Sequence, residues 1–122
     1  MIEALTEAFS YLLNPVVLGY LLFGNLIGLV FGVLPGLGGA TALAVLLPLT
    51  YGLDPMVAMF FLAAVMGAVP FGGSISAILL NTPGSAVNAA TCLDGHPMAR
   101  KGEAKKALEI SAAASGLGAM FG

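Results

Sequence analysis

Charge is scarce in this 122-residue chain: only 8% of the residues are Asp, Glu, Lys or Arg, against about 25% in an ordinary soluble domain. So little polar surface cannot wrap a water-exposed core of this size, which excludes a cytosolic globule. Cysteine is nearly absent as well. Cys92 stands alone, which excludes a disulfide-stapled secreted scaffold, and with no His or Cys at ligand spacing it reads as a buried, inert thiol. The four basic residues crowd one short stretch, so no nucleic-acid surface is read from them. What is abundant is apolar. Hydrophobic residues make up 59% of the chain, and the 17 glycines bring the total to nearly three quarters. Disorder needs the opposite composition. An integral membrane protein remains.

The ionisable residues are bunched. Glu3 and Glu7 open the chain, Asp54 sits alone, and the rest fall between Asp94 and Glu109. Residues 8–53 and 55–93 are uncharged. A bilayer crossing takes roughly 20 apolar residues, so each run has room for up to two passes of near-minimal length. Arg100, Lys101, Lys105 and Lys106 lie in the stretch 94–106, which reads as a cytoplasmic loop because basic residues in short loops are retained on that side. A lipid-headgroup patch is the competing reading, diluted by Asp94 and Glu103. The acidic N-terminus favours the outside and would then require an odd number of crossings before the loop. Composition leaves that parity open.

Residues 1–14 carry acids where a signal peptide needs a positive segment, so they are expected to stay in the mature protein. Ile2, Leu5, Phe9, Leu12 and Leu13 recur at helical spacing, as in a helix lying in the interface. Asn14-Pro15 then turns the chain inward. Residues 16–34 are apolar except for Asn25 and form a full-length membrane helix. Along it Gly24, Gly28 and Gly32 recur every four residues, a strip of missing side chains that lets a neighbouring backbone approach. The same strip could line a solute path, but packing is the favoured reading.

Residues 35–53 form a broken segment. Pro35-Gly36-Leu37-Gly38-Gly39-Ala40-Thr41 interrupts the helix, because proline lacks a donor and glycine is conformationally loose. Ala42 to Leu53 is too short for an untilted crossing and reads as a half-helix or hairpin arm. Residues 55–93 repeat the theme: a helix from Pro55 to Val69, an expected break at Pro70-Phe71-Gly72-Gly73-Ser74, a short resumption, and a second break at Asn81-Thr82-Pro83-Gly84-Ser85. Residues 107–122 begin another small-residue membrane helix. The expected fold is all-α, a polytopic membrane helix bundle with discontinuous helices or hairpins.

Broken backbone at membrane depth leaves amides and carbonyls that hydrocarbon cannot satisfy, so it survives only inside protein or beside a wet cavity. In transporters such half-helices aim their N-termini at anionic groups, and unwound carbonyls hold the cation. Ser74 and Ser85 are the expected caps of the half-helices that follow the glycines. The expected substrate and ion site therefore comprises Gly36, Gly38, Gly39 and Thr41 from the first cluster. The second contributes Gly72, Gly73, Ser74, Ser76, Asn81, Thr82, Pro83 and Gly84, with Asn88 close by. Taken singly, these residues read as kinks and interhelical hydrogen bonds. Taken as two clusters, they point to a site.

Other chemistry is poorly supported. The Gly36 to Gly39 stretch lacks the Lys-Ser/Thr of a phosphate loop, His96 has no second histidine and reads as solvated, and Ser74 and Ser76 have no embedded base to activate them. No enzyme and no bound cofactor or structural metal are expected. A polyanion in a low-dielectric pocket needs its charge balanced. Neither broken segment offers Lys, Arg or His, and a helix dipole supplies only about half a charge. A co-bound coupling cation, sodium or proton, is therefore expected.

Three stretches together, GVLPGLGGAT (32–41) leading to LLPLTYGLDP (46–55), FGGSISAILLNTPG (71–84) and DGHPMARKG (94–102), resemble the large membrane subunit of the tripartite tricarboxylate transporter family. The similarity runs over nearly the whole chain. Gly39 departs from it, standing where many relatives have proline, and so does His96, where an aromatic residue is usual. The resemblance implies a secondary transporter of the bacterial inner membrane that imports tricarboxylates or related small carboxylates on a cation gradient. Its partners would be a small membrane subunit and a periplasmic solute-binding protein, and this chain would be an N-terminal fragment of the large subunit. The alternative is a non-transporting membrane scaffold assembled through its glycine-rich helix faces.

Overall fold

Two Asx-Pro pairs start the two long helices. In the computed structural model, which describes all 122 residues, Asn14 Oδ1 accepts from the Val16 amide at 3.0 Å and Asp54 Oδ1 accepts from the Met56 amide at 2.9 Å. Each is an N-cap with proline at the first helical position, where the missing N–H costs nothing. The helices that follow are α2 (Pro15–Val33) and α4 (Pro55–Leu80), about 28 and 39 Å long at 1.5 Å per residue. Both are long and apolar enough to cross a membrane. The other helices are α1 (Ile2–Leu12), α3 (Gly39–Leu46), α5 (Ala89–Arg100) and α6 (Ala104–Phe121), with 3₁₀ turns at Leu47–Thr50 and Ala86–Asn88. There is no strand, as an all-α bundle requires. None of the α1 residues is buried.

The glycine strip of α2 sets the main packing. A Cβ added at Gly24 would lie 2.7 Å from Phe61 O and 3.0 Å from Ala64 Cβ; at Gly28 it would strike Val65 O and Ala68 Cβ, and at Gly32, Val69 O and the Gly72 Cα. Each step of four on α2 is thus matched by a step of four on α4, in the same direction. The two helices run parallel, with the hydrogen that replaces each side chain pointing at a carbonyl oxygen of the neighbour. Such Cα–H···O contacts recur where small residues let membrane helices meet.

Parallel neighbours require the chain between them to return the whole way. That return is α3 and its 3₁₀ turn. Gly39 abuts Met66, and Ala42 and Leu46 join Phe61, Val65 and Val69 in the buried core, flanked by Tyr20, Ile27, Phe31 and Leu62. Phe61 is held between Tyr20, edge-on at 6.1 Å, and Phe23, stacked at 6.0 Å. The N-termini of α2 and α4 lie at one end of the bundle. The C-terminus of α4 and the basic loop lie at the other.

Two sequence expectations are corrected. Residues 70–74 do not interrupt the chain, because α4 runs unbroken from Pro55 to Leu80. Pro70 withholds a donor from Met66 O, but the helix is held by contact on two sides. Gly72 lets α2 approach, its added Cβ falling 2.9 Å from the Gly32 Cα, and Gly73 makes room for the Asn88 side chain. The glycine pair serves close packing, not flexibility. Nor is 94–106 a continuous loop. Helix α5 passes through Asp94-Gly95-His96-Pro97, and only residues 101–103 are non-helical. Here Gly95 seats α5 against Ile78, and His96 Nδ1 lies 3.1 Å from Ile78 O. The turn into α6 closes with Gly102 at φ +84°, the Gly102 amide on Ala99 O at 3.1 Å and the Glu103 amide on Met98 O at 2.9 Å. That is a Schellman motif, which satisfies the last carbonyls of α5.

Candidate functional site

The first interruption is a proline-glycine turn. Leu37 N–H reaches Leu34 O at 3.2 Å, with Pro35 and Gly36 between them and Gly36 at φ +86°. Those are the positions a type II turn assigns to proline and glycine. Gly38 is then the extended N-cap of α3 and has no side chain to cap it. The first helical hydrogen bond is Ala42 N–H to Gly38 O, so the amides of Gly39, Ala40 and Thr41 have no partner in the chain. Thr41 is exposed, and its hydroxyl makes no hydrogen bond. This is a small cluster of unpaired donors at a helix N-terminus, electropositive without any basic side chain.

The second interruption follows α4. Asn81 ends the helix in the left-handed region, at φ 55°, where its short amide side chain is tolerated. Thr82 Oγ1 donates to Leu80 O at 3.2 Å, and both Asn81 and Thr82 are exposed. The chain then folds back along α4, so that Gly84 packs on Gly32 O and lies against the Gly73 Cα. Gly38 reaches the same place, its added Cβ 4.0 Å from Ser85 Cβ. The two interruptions, 47 residues apart between Gly38 and Ser85, thus meet at the C-terminal end of α2.

Asn88 ties this region together. Its Nδ2 donates to Pro70 O at 2.8 Å and to Ser74 Oγ at 3.0 Å, while Ser85 Oγ donates to its Oδ1 at 2.7 Å. The residue is only 3% exposed, and a buried amide with satisfied partners fixes the loop on the helix. The roles expected of Ser74 and Ser85 as helix caps are therefore corrected. Ser74 sits mid-helix, 7% exposed, and its hydroxyl donates to Pro70 O at 3.2 Å; Ser85 does stand at the N-cap position of the 3₁₀ turn Ala86–Asn88, but its hydroxyl goes to Asn88 Oδ1 and makes no capping bond. Ser76, 1% exposed, is likewise spent on Gly73 O at 3.0 Å. Of the expected site residues, Gly38 and Gly84 meet at the junction, with Gly36, Gly39, Thr41 and Pro83 in the segments that lead to it, while Asn81 and Thr82 are exposed at the C-terminal end of α4. Gly72, Gly73, Ser74 and Ser76 form the helical wall behind the junction.

Gly24, Gly28 and Gly32 are buried under α4. Arg100, Lys101, Lys105 and Lys106 are all exposed near the α5–α6 turn, and the only salt bridge is Lys105 to Glu109 at 3.9 Å. On the far side of Ser74 an open groove of about 490 Å³ runs between α4, α5 and α6. Sequence reading missed that groove, since its residues converge only once α6 has folded back on α5. His96, expected to be solvated, is instead half-buried, its Nδ1 3.1 Å from Ile78 O in the last turn of α4, a carbonyl that lacks a helical donor.

The family model described as Tripartite tricarboxylate transporter TctA family matches residues 18–122. An "Uncharacterized 52.8 kDa protein in TAR-I ttuC' 3'region" of Agrobacterium vitis is 39% identical over 115 residues, which cover 94% of this chain and 23% of that protein. The chain therefore spans about a quarter of the length of that relative. No solved structure matches it.

Proposed function

Given that the chain belongs to the tripartite tricarboxylate transporter TctA family, we propose that it builds part of the membrane subunit of a cation-coupled secondary transporter for tricarboxylates or related small carboxylates. The transporter lies in the bacterial inner membrane and works with a small membrane subunit and a periplasmic solute-binding protein. The observation that carries this reading is the meeting of the two interruptions beside the uncapped N-terminus of α3. Free amides at Gly39, Ala40 and Thr41, with the Thr41 hydroxyl, suit a carboxylate group. In this reading Pro35, Gly36, Gly38, Asn81, Thr82, Pro83 and Gly84, which form the two interruptions, would border the bound carboxylate. No Lys, Arg or His stands in either segment, so the charge of a bound polyanion is balanced by a co-transported cation.

The scaffold reading has lost its main support, because Gly24, Gly28 and Gly32 are already occupied by α4 and offer no face to another protein. The test is uptake of labelled tricarboxylate by the complete transporter in proteoliposomes, with its binding protein, with and without sodium or proton gradients. Gradient-driven uptake is expected. Thr41→Val, which keeps the shape and removes the hydroxyl, should raise the half-saturating substrate concentration about tenfold, the equivalent of one hydrogen bond to a charged group. Unchanged half-saturation in that variant refutes the placement of the carboxylate, and gradient-independent uptake refutes cation coupling.

A further inference from the structure

Eleven serines and threonines occur in the chain, and the hydroxyls of seven are spent within it. Thr6, Ser10, Thr50, Ser74, Ser76 and Thr82 bond to backbone carbonyls, and Ser85 bonds to Asn88. The four left without a partner are Thr41, Thr91, Ser111 and Ser115. Three of these, all but Thr41, line one cavity, the groove between α4, α5 and α6. The same groove holds Asp94, its only charged residue. The Asp94 carboxylate, exposed at the open side of the groove as Ser115 is, has neither ion pair nor hydrogen bond in the chain, the single salt bridge being Lys105 to Glu109. One unpaired carboxylate and three free hydroxyls thus share a single recess.

Thr91 and Asp94 are three apart on α5, and Ser111 and Ser115 are four apart on α6, so each pair stacks on one face of its helix. The set is all oxygen, with no nitrogen or sulfur donor, which selects hard cations. A lone carboxylate matches a single positive charge, whereas dedicated calcium sites surround the ion with six to eight oxygens and usually several carboxylates. We propose that this groove binds a monovalent alkali cation, sodium above all, through the Asp94 carboxylate and the Thr91, Ser111 and Ser115 hydroxyls. The assignment rests on the cation-coupled reading given above, but with its charge already met by Asp94 this ion would act on the second interruption through the Ser74–Asn88 contact, not by neutralising the substrate. Ser74 connects the two regions, because it lines this groove and also receives the Asn88 hydrogen bond that holds the second interruption. Occupancy of the groove would then bear on the loop that Asn88 holds.

The test is direct binding of radioactive sodium to the complete, purified membrane subunit in detergent, with choline as the control cation, alongside the sodium dependence of uptake. Asp94→Asn keeps the shape and should abolish sodium binding. Thr91→Val and Ser111→Ala should each weaken it about tenfold or more, as loss of a metal-site partner commonly does, while Thr91→Ser should restore it. Absence of sodium binding by the wild type overturns the site, as does unchanged affinity in Asp94→Asn protein that elutes as the wild type does. Gradient-independent uptake together with Asp94-dependent binding overturns the coupled-transport reading and leaves the site standing.

Discussion

The tightest contact of the α2–α4 seam is at Gly32, and substituting alanine there should separate packing from propensity. An added methyl would meet Val69 O, the Gly72 Cα at 2.8 Å and the Gly73 amide nitrogen at 3.0 Å. All three are backbone atoms, so none can rotate aside. Moving the Gly72 contact alone out to the 3.4 Å of ordinary van der Waals approach parts α2 and α4 by about 0.6 Å, and a gap of that size forfeits roughly a quarter or more of the dispersion wells along the seam. Overpacking of this kind costs about 1–3 kcal/mol. Against it stands about 1 kcal/mol that alanine returns over glycine in a helix interior. Gly19 and Gly67 lie in the same two helices with nothing within 4 Å of an added Cβ, so Gly19→Ala and Gly67→Ala collect the propensity gain alone. Thermal unfolding of the complete subunit in detergent, followed by size-exclusion, should rank both controls at or above the wild type and Gly32→Ala clearly below. A Gly32→Ala protein that melts with the controls would refute the parallel glycine seam.

Two other substitutions probe the loop and the last helices. Asn88→Leu removes the donors to Pro70 O and Ser74 and the acceptor for Ser85; the Ser74–Pro70 bond survives, and the Ser85 hydroxyl is left unpaired at about 1–3 kcal/mol. Limited proteolysis should then cut residues 81–88 faster, and unchanged cutting would deny that Asn88 clamps the loop. His96→Ala, which frees Ile78 O, should lower thermal stability by about 1 kcal/mol, and no change would mean that Gly95 alone seats α5.

Much of this arrangement was legible in the residues themselves. The four-residue glycine period announced a close helix contact, and Pro35-Gly36 can hardly be read as anything but a turn. The Asn14-Pro15 start was equally plain. What misled was Pro70-Phe71-Gly72-Gly73, whose composition matches that of a true break. Local signals cannot tell a glycine that bends the backbone from one that admits a neighbour, since both lack a side chain for different reasons. The difference lies in Gly32 and Asn88, 40 and 15 residues away from Gly72 and Gly73 respectively. The same blindness hid the helix through Gly95-His96-Pro97, where contact with Ile78 overrides poor propensity. It also hid the groove of Asp94, which needs α5 and α6 to lie side by side.

Gly24, Gly28 and Gly32 meet carbonyls spaced one turn apart, and this limits how the machine can move. Notches that fit this tightly act as detents. A slide of α2 along α4 by less than a full turn, about 5.4 Å, would drive a Cα into an oxygen. Packed surfaces of this sort have discrete resting positions and do not deform smoothly. If the proposed transporter alternates between inward and outward states, α2 and α4 would have to move together as one rigid strut. Any displacement would then fall to the lighter parts hung on it: the short return helix on one side, and the α5–α6 hairpin on the other.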